Sequence, residues 1–237
     1  MLSYFDAVYS RLYDRSTARL SRYIQAQETL VRHLRVQAGQ RVLCAGLGTG
    51  NELTSLRAVE CALDLIGIDL SRTALTRARC KPAGGPAGTA LALMDARLLG
   101  FKDAAFDRLL CYHVLDFTRE PEAMTQEFFR VLRPGGRFVI SFPSGAEGPG
   151  LGASLMSDSL SGPGRRGGRR ITHVSRTLLA GFIYLPLMLR RRPRTFTPDA
   201  LDALLRSLGA ADVAIHTDPV YRDHIASGAK KGGCYAS

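Results

Sequence analysis

Three groups of residues have the types and spacing to hold a nucleotide-like ligand. The first is the apolar run from Val42 to Ala45, followed by the turn Gly46-Leu47-Gly48-Thr49-Gly50. Glycines let the backbone turn sharply and come close to a ligand, and the helix that follows presents its N-terminus to polar or anionic groups. This turn alone is weak evidence, because dinucleotide-binding loops and simple tight turns look alike.

Two acidic residues form the other groups, each at the end of a later apolar run. Asp69 follows Ile66-Gly67-Ile68, roughly 20 residues past the glycines, where a carboxylate can accept hydrogen bonds from both hydroxyls of a ribose. Asp95 follows Leu93-Met94 and precedes Ala96. We therefore predict an adenosine-containing ligand, and these residues by themselves do not separate NAD from a methyl donor.

An alternation of strands and helices has to position these residues. Apolar runs predict strands over residues 41–45, 63–68, 90–94, 106–112, 136–142, 212–216 and 224–229. Helical spacing and caps predict helices over 51–58, 71–79, 120–132 and 198–208. Strands that alternate with helices form parallel βαβ units, so we expect an α/β fold whose open sheet is covered by helices on both faces.

Two further segments flank or interrupt this alternation. Aromatic and aliphatic residues at helical spacing over 3–35 predict a helical cap, so we divide the chain into an N-terminal cap over 1–38 and a main domain over 39–237. Residues 144–168 are rich in Gly, Ser and Pro, and a basic run continues to residue 194. This composition indicates an insertion over 144–194, after the fifth strand.

The motifs resemble those of class I S-adenosylmethionine-dependent methyltransferases, in particular the ubiquinone/menaquinone-type family of small-molecule methyltransferases. That family carries D/E-x-G-x-G-x-G, GxD, GDA, FD and VLxPGGR in this order. The corresponding residues here are Gly46 to Gly50, Gly67-Ile68-Asp69, Met94-Asp95-Ala96, Phe106-Asp107 and Val131-Leu132-Arg133-Pro134-Gly135-Gly136-Arg137. The resemblance covers about residues 5–216 apart from 144–194. It implies a Rossmann-like class I methyltransferase fold with a mostly parallel seven-stranded sheet.

The same resemblance implies a binding site for S-adenosylmethionine. It places the backbone around Ala45, Gly46, Leu47 and Gly48 against the methionine part of the cofactor, with Gly50 in the same loop. The other expected contacts are Asp69 with the ribose, Leu70 with the adenine ring, Asp95 and Ala96 with the adenine edge, Cys111 with the surroundings of the sulfonium, and Tyr13 over the site from the N-terminal helices.

One residue departs from the family pattern. Cys44 stands where the first motif normally has an acid, which helps to orient the amino group of the methionine part. Glu52 is a candidate to substitute in part for this carboxylate. The alternative is a degenerate protein that keeps the fold and has lost the reaction.

Methyl transfer asks little of the side chains, because the sulfonium is already activated and the protein has mainly to align the reactants in a water-poor pocket. His113 is the best candidate for a general base, since an imidazole with a pKa near neutral suits proton removal. It can equally be a packing residue at the strand end, and Tyr112 and Asp116 are weaker candidates. The run Asp218-Pro219-Val220-Tyr221 superficially resembles the (D/N)PPY motif of amino-group methyltransferases, but it lies after the wrong strand, so we assign it no role.

Basic charge is concentrated in the insertion. Nine arginines between residues 161 and 194, with no acid or lysine among them, account for nine of the net +11 charges of the 237-residue chain. They flank an apolar stretch over 178–189. This pattern is typical of a solvated basic loop over a capping helix, and it also suits contact with an anionic membrane through residues 165–194. A phosphorylated or carboxylated acceptor and RNA are further alternatives; nucleic acid is disfavoured because few aromatic residues interleave with the arginines.

The sequence thus predicts transfer of a methyl group to a small or lipophilic acceptor such as a quinone, a lipid or a secondary metabolite. In the resembling family, the segment at 144–194 often shapes the acceptor pocket. The alternatives are an RNA methyltransferase and a degenerate binding protein. The five cysteines and five histidines show no ligand spacing, so no metal site is predicted. Sparse cysteines and the lack of an evident secretory signal lead us to expect a cytoplasmic protein, with peripheral membrane attachment as a further option.

Overall fold

A seven-stranded sheet forms the centre of the protein, in a computed structural model that describes residues 21–81, 89–145, 192–218 and 222–232. Its strands are β1 (Arg41–Ala45), β2 (Asp64–Asp69), β3 (Thr89–Leu93), β4 (Phe106–Cys111), β5 (Leu132–Phe142), β6 (Ala210–Thr217) and β7 (His224–Lys230). Their order across the sheet is β3-β2-β1-β4-β5-β7-β6, and β7 alone runs antiparallel to both of its neighbours. The predicted mostly parallel seven-stranded α/β sheet is therefore confirmed.

Five α-helices lie in the described residues, and two of them begin at a side-chain cap. They are α1 (Ser21–Leu34), α2 (Asn51–Val59), α3 (Arg72–Arg79), α4 (Pro121–Val131) and α5 (Pro198–Ser207), with a short 3-10 turn at Leu115–Phe117. The Ser71 hydroxyl accepts a hydrogen bond from the Ala74 amide at 3.0 Å, which caps α3. The Thr197 hydroxyl accepts from the Ala200 amide at 3.3 Å and caps α5 in the same way.

Strand β5 differs most from its prediction. We expected Pro134-Gly135-Gly136 to separate helix α4 from the strand, but β5 begins at Leu132, directly after the helix. Leu132 pairs with Phe106, and the register then shifts before Arg137 pairs with Arg108. A β-bulge allows one strand to carry extra residues opposite its partner, so the glycine-rich turn lies inside an irregular strand rather than ahead of it.

Helices cover both faces of the sheet, and alternate strand residues point to two separate hydrophobic cores. On one face Val42, Cys44, Leu65 and Leu110 pack with apolar residues of α1, α2 and α3. On the other face the neighbouring strand residues, such as Leu43 and Ala45, pack with residues of α4 and α5. Cys44 therefore shares its face of the sheet with α1 and α2, which matters for the site described below.

The sheet has a switch point between β1 and β4. Chain connections lead from β1 to β2 on one side and from β3 back to β4 on the other, so the carboxyl ends of β1 and β4 border a crevice. Because β7 is antiparallel, the residues that precede it also lie at this edge. Ligands of open α/β sheets bind at such a point, so the order of the strands predicts where the site lies.

The segments on either side of residues 146–191 pair with each other next to the sheet. Ser144 forms a parallel β-bridge with Phe196, and the Phe196 amide donates a hydrogen bond to the Pro143 carbonyl at 2.9 Å. The predicted site residue Tyr13 and the basic residues from 165 to 191 lie outside the described ranges. No helix within those ranges has the length and apolar character needed to span a lipid bilayer.

Candidate cofactor and catalytic site

The glycine loop after β1 has a left-handed backbone at Gly46 and Gly48, with φ of 68° and 58°. A Cβ atom on Gly46 would lie 2.0 Å from the Val114 side chain, so only glycine lets the loop pack against the residues that follow β4. Among the residues that the structure describes, a Cβ on Gly48 would meet no atom within 4 Å. Within the described part of the chain, the loop is thus closely packed at Gly46 and open at Gly48. A backbone that binds a ligand needs such an open side.

Asp69 is fixed beside this loop at the end of β2. One of its carboxylate oxygens accepts a hydrogen bond from the Gly48 amide at 2.7 Å, and the other accepts from the Ser71 amide at 2.7 Å. Leu70, the next residue, is 49% exposed, so its side chain is accessible to a flat ring. Both residues lie at the carboxyl end of β2, and their roles at the ribose and the adenine stay predictions.

Asp95 and Ala96 lie next to Asp69, because the Met94 amide donates to the Asp69 carbonyl at 3.1 Å. The Asp95 carboxylate binds the Arg97 guanidinium at 2.7 Å, and this hydrogen bond lowers the pKa of Asp95 despite its partial burial. Ala96 is buried. The structure therefore brings the four predicted nucleoside contacts together at the carboxyl ends of β2 and β3.

The end of β4 brings Cys111 and His113 to the loop. Cys111 pairs with Ala45 and is buried, and burial raises the pKa of its thiol, so the group is neutral. His113 has a φ of 54°, and a left-handed conformation of this kind costs a residue other than glycine about 1–3 kcal/mol. Its amide donates to the Ser141 hydroxyl at 2.6 Å. Strain that neighbouring contacts maintain is frequent at functional sites.

A buried carboxylate holds the His113 ring. His113 Nδ1 lies 2.9 Å from the Asp223 Oδ2 atom, and the Asp223 side chain has no exposed surface. Burial lowers the pKa of His113, but the adjacent Asp223 carboxylate and the charges of Asp116 and Asp218 outweigh it, so the pKa is raised above its usual 6.5. This pairing fixes the ring orientation and favours the tautomer that carries a proton on Nδ1.

Arg192 completes the cluster from the far end of the insertion. Its guanidinium binds Asp223, donates to the Ser144 carbonyl at 3.2 Å and lies 4.0 Å from Asp116. The ligand atoms of His113, Asp116 and Asp223 lie within 4.8 Å of one another, a spacing that would suit a cation. Arg192 already provides a positive charge at this cluster.

Sequence reasoning missed three members of this cluster. Asp218 accepts a hydrogen bond from the Tyr112 hydroxyl at 2.9 Å, although we assigned its segment no role. Asp223 and Arg192 were not predicted as site residues either. Asp223 directly precedes a predicted strand, and Arg192 was considered only as part of the basic charge of the insertion. The antiparallel course of β7 brings residues 218 and 223 to the site, and no sequence motif marks it. The sequence offered one signal for residues 218 and 223: they are polar and stand just before the predicted strand at 224–229.

Comparison with known proteins identifies the central part of the chain. A family profile described as a methyltransferase domain matches residues 43–140. A phosphatidylethanolamine N-methyltransferase of Cereibacter sphaeroides is 35% identical over 131 residues, 54% of this chain and 62% of that protein. A demethylmenaquinone methyltransferase of Symbiobacterium thermophilum is 33% identical over 105 residues, 43% of this chain and 41% of that protein. The chain thus spans less than two thirds of the length of either relative.

The fold agrees with this match. The magnesium protoporphyrin IX methyltransferase of Synechocystis PCC 6803, solved with bound SAH, superposes with a TM-score of 0.64 over 97% of each chain, at 17% identity. Residues 43–140 are therefore a methyltransferase domain, and the fold is that of the class I S-adenosylmethionine-dependent enzymes. The resemblance that the motifs indicated is confirmed, its quinone-methylating branch is among the relatives, and S-adenosylmethionine is supported as the cofactor.

Replacing Gly48 by alanine tests whether the open face of the loop is where the cofactor binds. The alanine would be strained by about 1–2 kcal/mol at this φ and would place a methyl group in the cradle. Gly39 is a matched control, because its φ is 76° and a Cβ there also meets no atom within 4 Å. We expect both variants to lose similar stability in urea, but only Gly48→Ala to lose at least tenfold in affinity for S-adenosylhomocysteine by calorimetry. Equal affinities in the two variants would contradict this placement.

Proposed function

We propose that this protein transfers the methyl group of S-adenosylmethionine to a small, lipophilic acceptor. The main support is the loop at Gly48, which is open above and is held by Asp69 at the switch point of the sheet. In this proposal the loop from Ala45 to Gly50 holds the methionine part, Asp69 holds the ribose, and Leu70, Asp95 and Ala96 surround the adenine. The bound cofactor supplies an activated methyl group, and the protein aligns it and excludes water.

His113 acts as the base for an acceptor that must lose a proton. Because Asp223 holds Nδ1, the atom that takes up the proton is Nε2, which is buried near the end of β4. Val114, the next residue, packs against Gly46, so the base and the cofactor loop are neighbours. Asp223 is a positioning residue in this scheme, because it fixes the ring and stabilises the imidazolium after the proton has moved.

The acceptor class rests on the relatives and on the basic insertion. Phosphatidylethanolamine and demethylmenaquinone, which the two relatives are named for, each join a polar reacting group to long apolar chains. We propose that an acceptor of this kind is reached at an anionic membrane surface through residues 165–194. Arg192 and Arg194 bind Asp223 and Glu122 in the folded domain, so the remaining seven arginines of the insertion are those that would contact lipid.

Binding of the cofactor provides the first test of this function. The intact protein should bind S-adenosylmethionine and S-adenosylhomocysteine with micromolar affinity, and Asp69→Ala should weaken both at least tenfold because it removes the ribose acceptor. Asp64→Ala is the control, since it lies at the other end of β2 and loses only an exposed ion pair with Arg41. If the intact protein binds neither compound, the enzyme proposal fails; if Asp69→Ala binds normally, the site is misplaced.

The role of His113 predicts how the rate depends on pH. Activity on vesicles that contain phosphatidylethanolamine or demethylmenaquinone, followed with methyl-labelled cofactor, should rise with pH as His113 loses its proton. Asp223 raises the pKa of His113, so Asp223→Asn should shift this rise to lower pH. His113→Gln should lose about 100-fold in kcat.

Asp103→Asn is the control, because this exposed residue lies by the amino end of β4 and binds Arg130. If the pH profile of Asp223→Asn matches that of the intact protein, or if His113→Gln keeps its full rate, His113 is only a packing residue. Labelling of RNA in place of lipid would favour the RNA alternative. Cofactor binding with no labelling of any acceptor would favour a degenerate binding protein.

Flotation with liposomes tests the membrane proposal. Each arginine near an anionic surface contributes about 1 kcal/mol, so changing Arg165, Arg166, Arg169 and Arg170 to serine should abolish flotation with phosphatidylglycerol liposomes. The control removes the same charge from exposed residues of the folded domain, by changing Arg72, Arg79, Lys102 and Arg119 to serine. Equal flotation of the two variants would show that the insertion makes no specific contact with the membrane.

A further inference from the structure

The cofactor loop is preceded by a residue that carries no charge. Cys44 occupies the position where the resembling family has an acid, and its side chain is buried on the face of the sheet that α1 and α2 cover. Burial and the nearby charge of Glu52 both raise the pKa of its thiol, so Cys44 stays neutral at physiological pH. Strand β1 therefore offers no anion to the ammonium group of a bound cofactor.

Glu52 brings a carboxylate to the same place from the other side of the loop. It lies in the first turn of α2, which begins directly after Gly50. Its Oε1 atom accepts a hydrogen bond from Gln27 Nε2 at 3.1 Å, and Gln27, on α1, is only 4% exposed. This contact with a buried amide directs the carboxylate into the fold, towards the face of β1 that Cys44 occupies.

The electrostatic neighbours of Glu52 locate it more closely. Its charge raises the pKa of both Cys44 and Cys111, which lie near the carboxyl ends of β1 and β4. Lys81 and His113 act on Glu52 in return and lower its pKa. Coulomb interactions weaken with distance, so these effects agree with a carboxylate near the carboxyl ends of β1 and β4.

This acid is costly to the folded protein. Burial raises the pKa of Glu52 to about 7, in spite of its hydrogen bonds and the charges of Lys81 and His113. Within the described part of the chain Glu52 forms no ion pair, and Lys81 instead donates to Thr49 at 3.3 Å and to Asn51. An acid held at the site without a salt-bridge partner suits a cation that the ligand brings.

We propose that Glu52 binds the α-ammonium group of S-adenosylmethionine, and so replaces from helix α2 the carboxylate that Cys44 has removed from strand β1. The inference rests on the proposed function, because it assigns a residue to the methionine end of the same cofactor. The ammonium, rather than the sulfonium or a cationic acceptor, is the expected partner because Glu52 follows the loop that holds the methionine backbone. Three ligands separate these possibilities.

S-adenosylmethionine carries both the ammonium and the sulfonium, S-adenosylhomocysteine carries the ammonium alone, and 5′-methylthioadenosine carries neither. Calorimetry should show that Glu52→Gln binds the first two at least tenfold more weakly than the intact protein. Its affinity for 5′-methylthioadenosine should stay within twofold. Glu60→Gln, at the opposite end of α2, is the matched control and should bind all three ligands normally.

A variant that carries the carboxylate on β1 instead of α2 tests directly whether this group binds the ammonium. The double change Cys44→Asp with Glu52→Gln should recover most of the lost affinity for S-adenosylhomocysteine, because a carboxylate again faces the ammonium. Glu52→Gln keeps the hydrogen bond to Gln27 and removes a buried charge, so its melting temperature at pH 8 should equal or exceed that of the intact protein. This measurement excludes misfolding as the cause of weak binding.

Several results would overturn the inference. Unchanged binding of S-adenosylhomocysteine by Glu52→Gln would show that Glu52 does not contact the ammonium. An equal loss for 5′-methylthioadenosine would indicate a general effect on the loop, and a loss for S-adenosylmethionine alone would indicate the sulfonium. The proposed function fails separately, if the intact protein binds none of the three ligands.

Discussion

The contact between Gly46 and Val114 is the constraint on which the site depends. Because Gly46 has no side chain, the loop after β1 can lie directly against the residues that follow β4. This packing sets the cofactor loop beside His113, although the two are far apart in the sequence. In the proposed function, a larger residue at either position would separate the loop that holds the methyl donor from His113, the proposed base.

Most of the α/β framework could be predicted, because its signals are local. The hydroxyls of Ser71 and Thr197 mark helix starts, and each caps its helix as the sequence indicates. Strand β1 has the predicted bounds because a short apolar run between a turn and a glycine loop has few other solutions. The positions of the candidate cofactor residues could be predicted for a related reason: Asp69 and Asp95 directly follow apolar runs that form strands.

The residues around His113 could not be predicted, because their contacts join distant parts of the chain. Asp223 precedes an antiparallel strand, and the alternation of strands and helices does not show where such a strand joins the sheet. Arg192 reaches it from the end of a basic insertion whose charge has a simpler surface explanation. The bulge in β5 has the same origin, since it depends on how Leu132 pairs with Phe106. Register between strands is set by packing, which a single sequence does not display.

The bridge between Ser144 and Phe196 has a consequence for how such a protein can change over evolution. The sheet already holds the two ends of the intervening stretch together, so exchanging that stretch requires no new closure. Doubling the length of a closed loop adds only about 0.6 kcal/mol of entropic cost. The chain can therefore accept substitutions, deletions or replacements between these anchors and keep its catalytic framework. Arg192 lies near the second anchor and contacts Asp116 and Asp223, so such changes could alter the carboxylates beside His113.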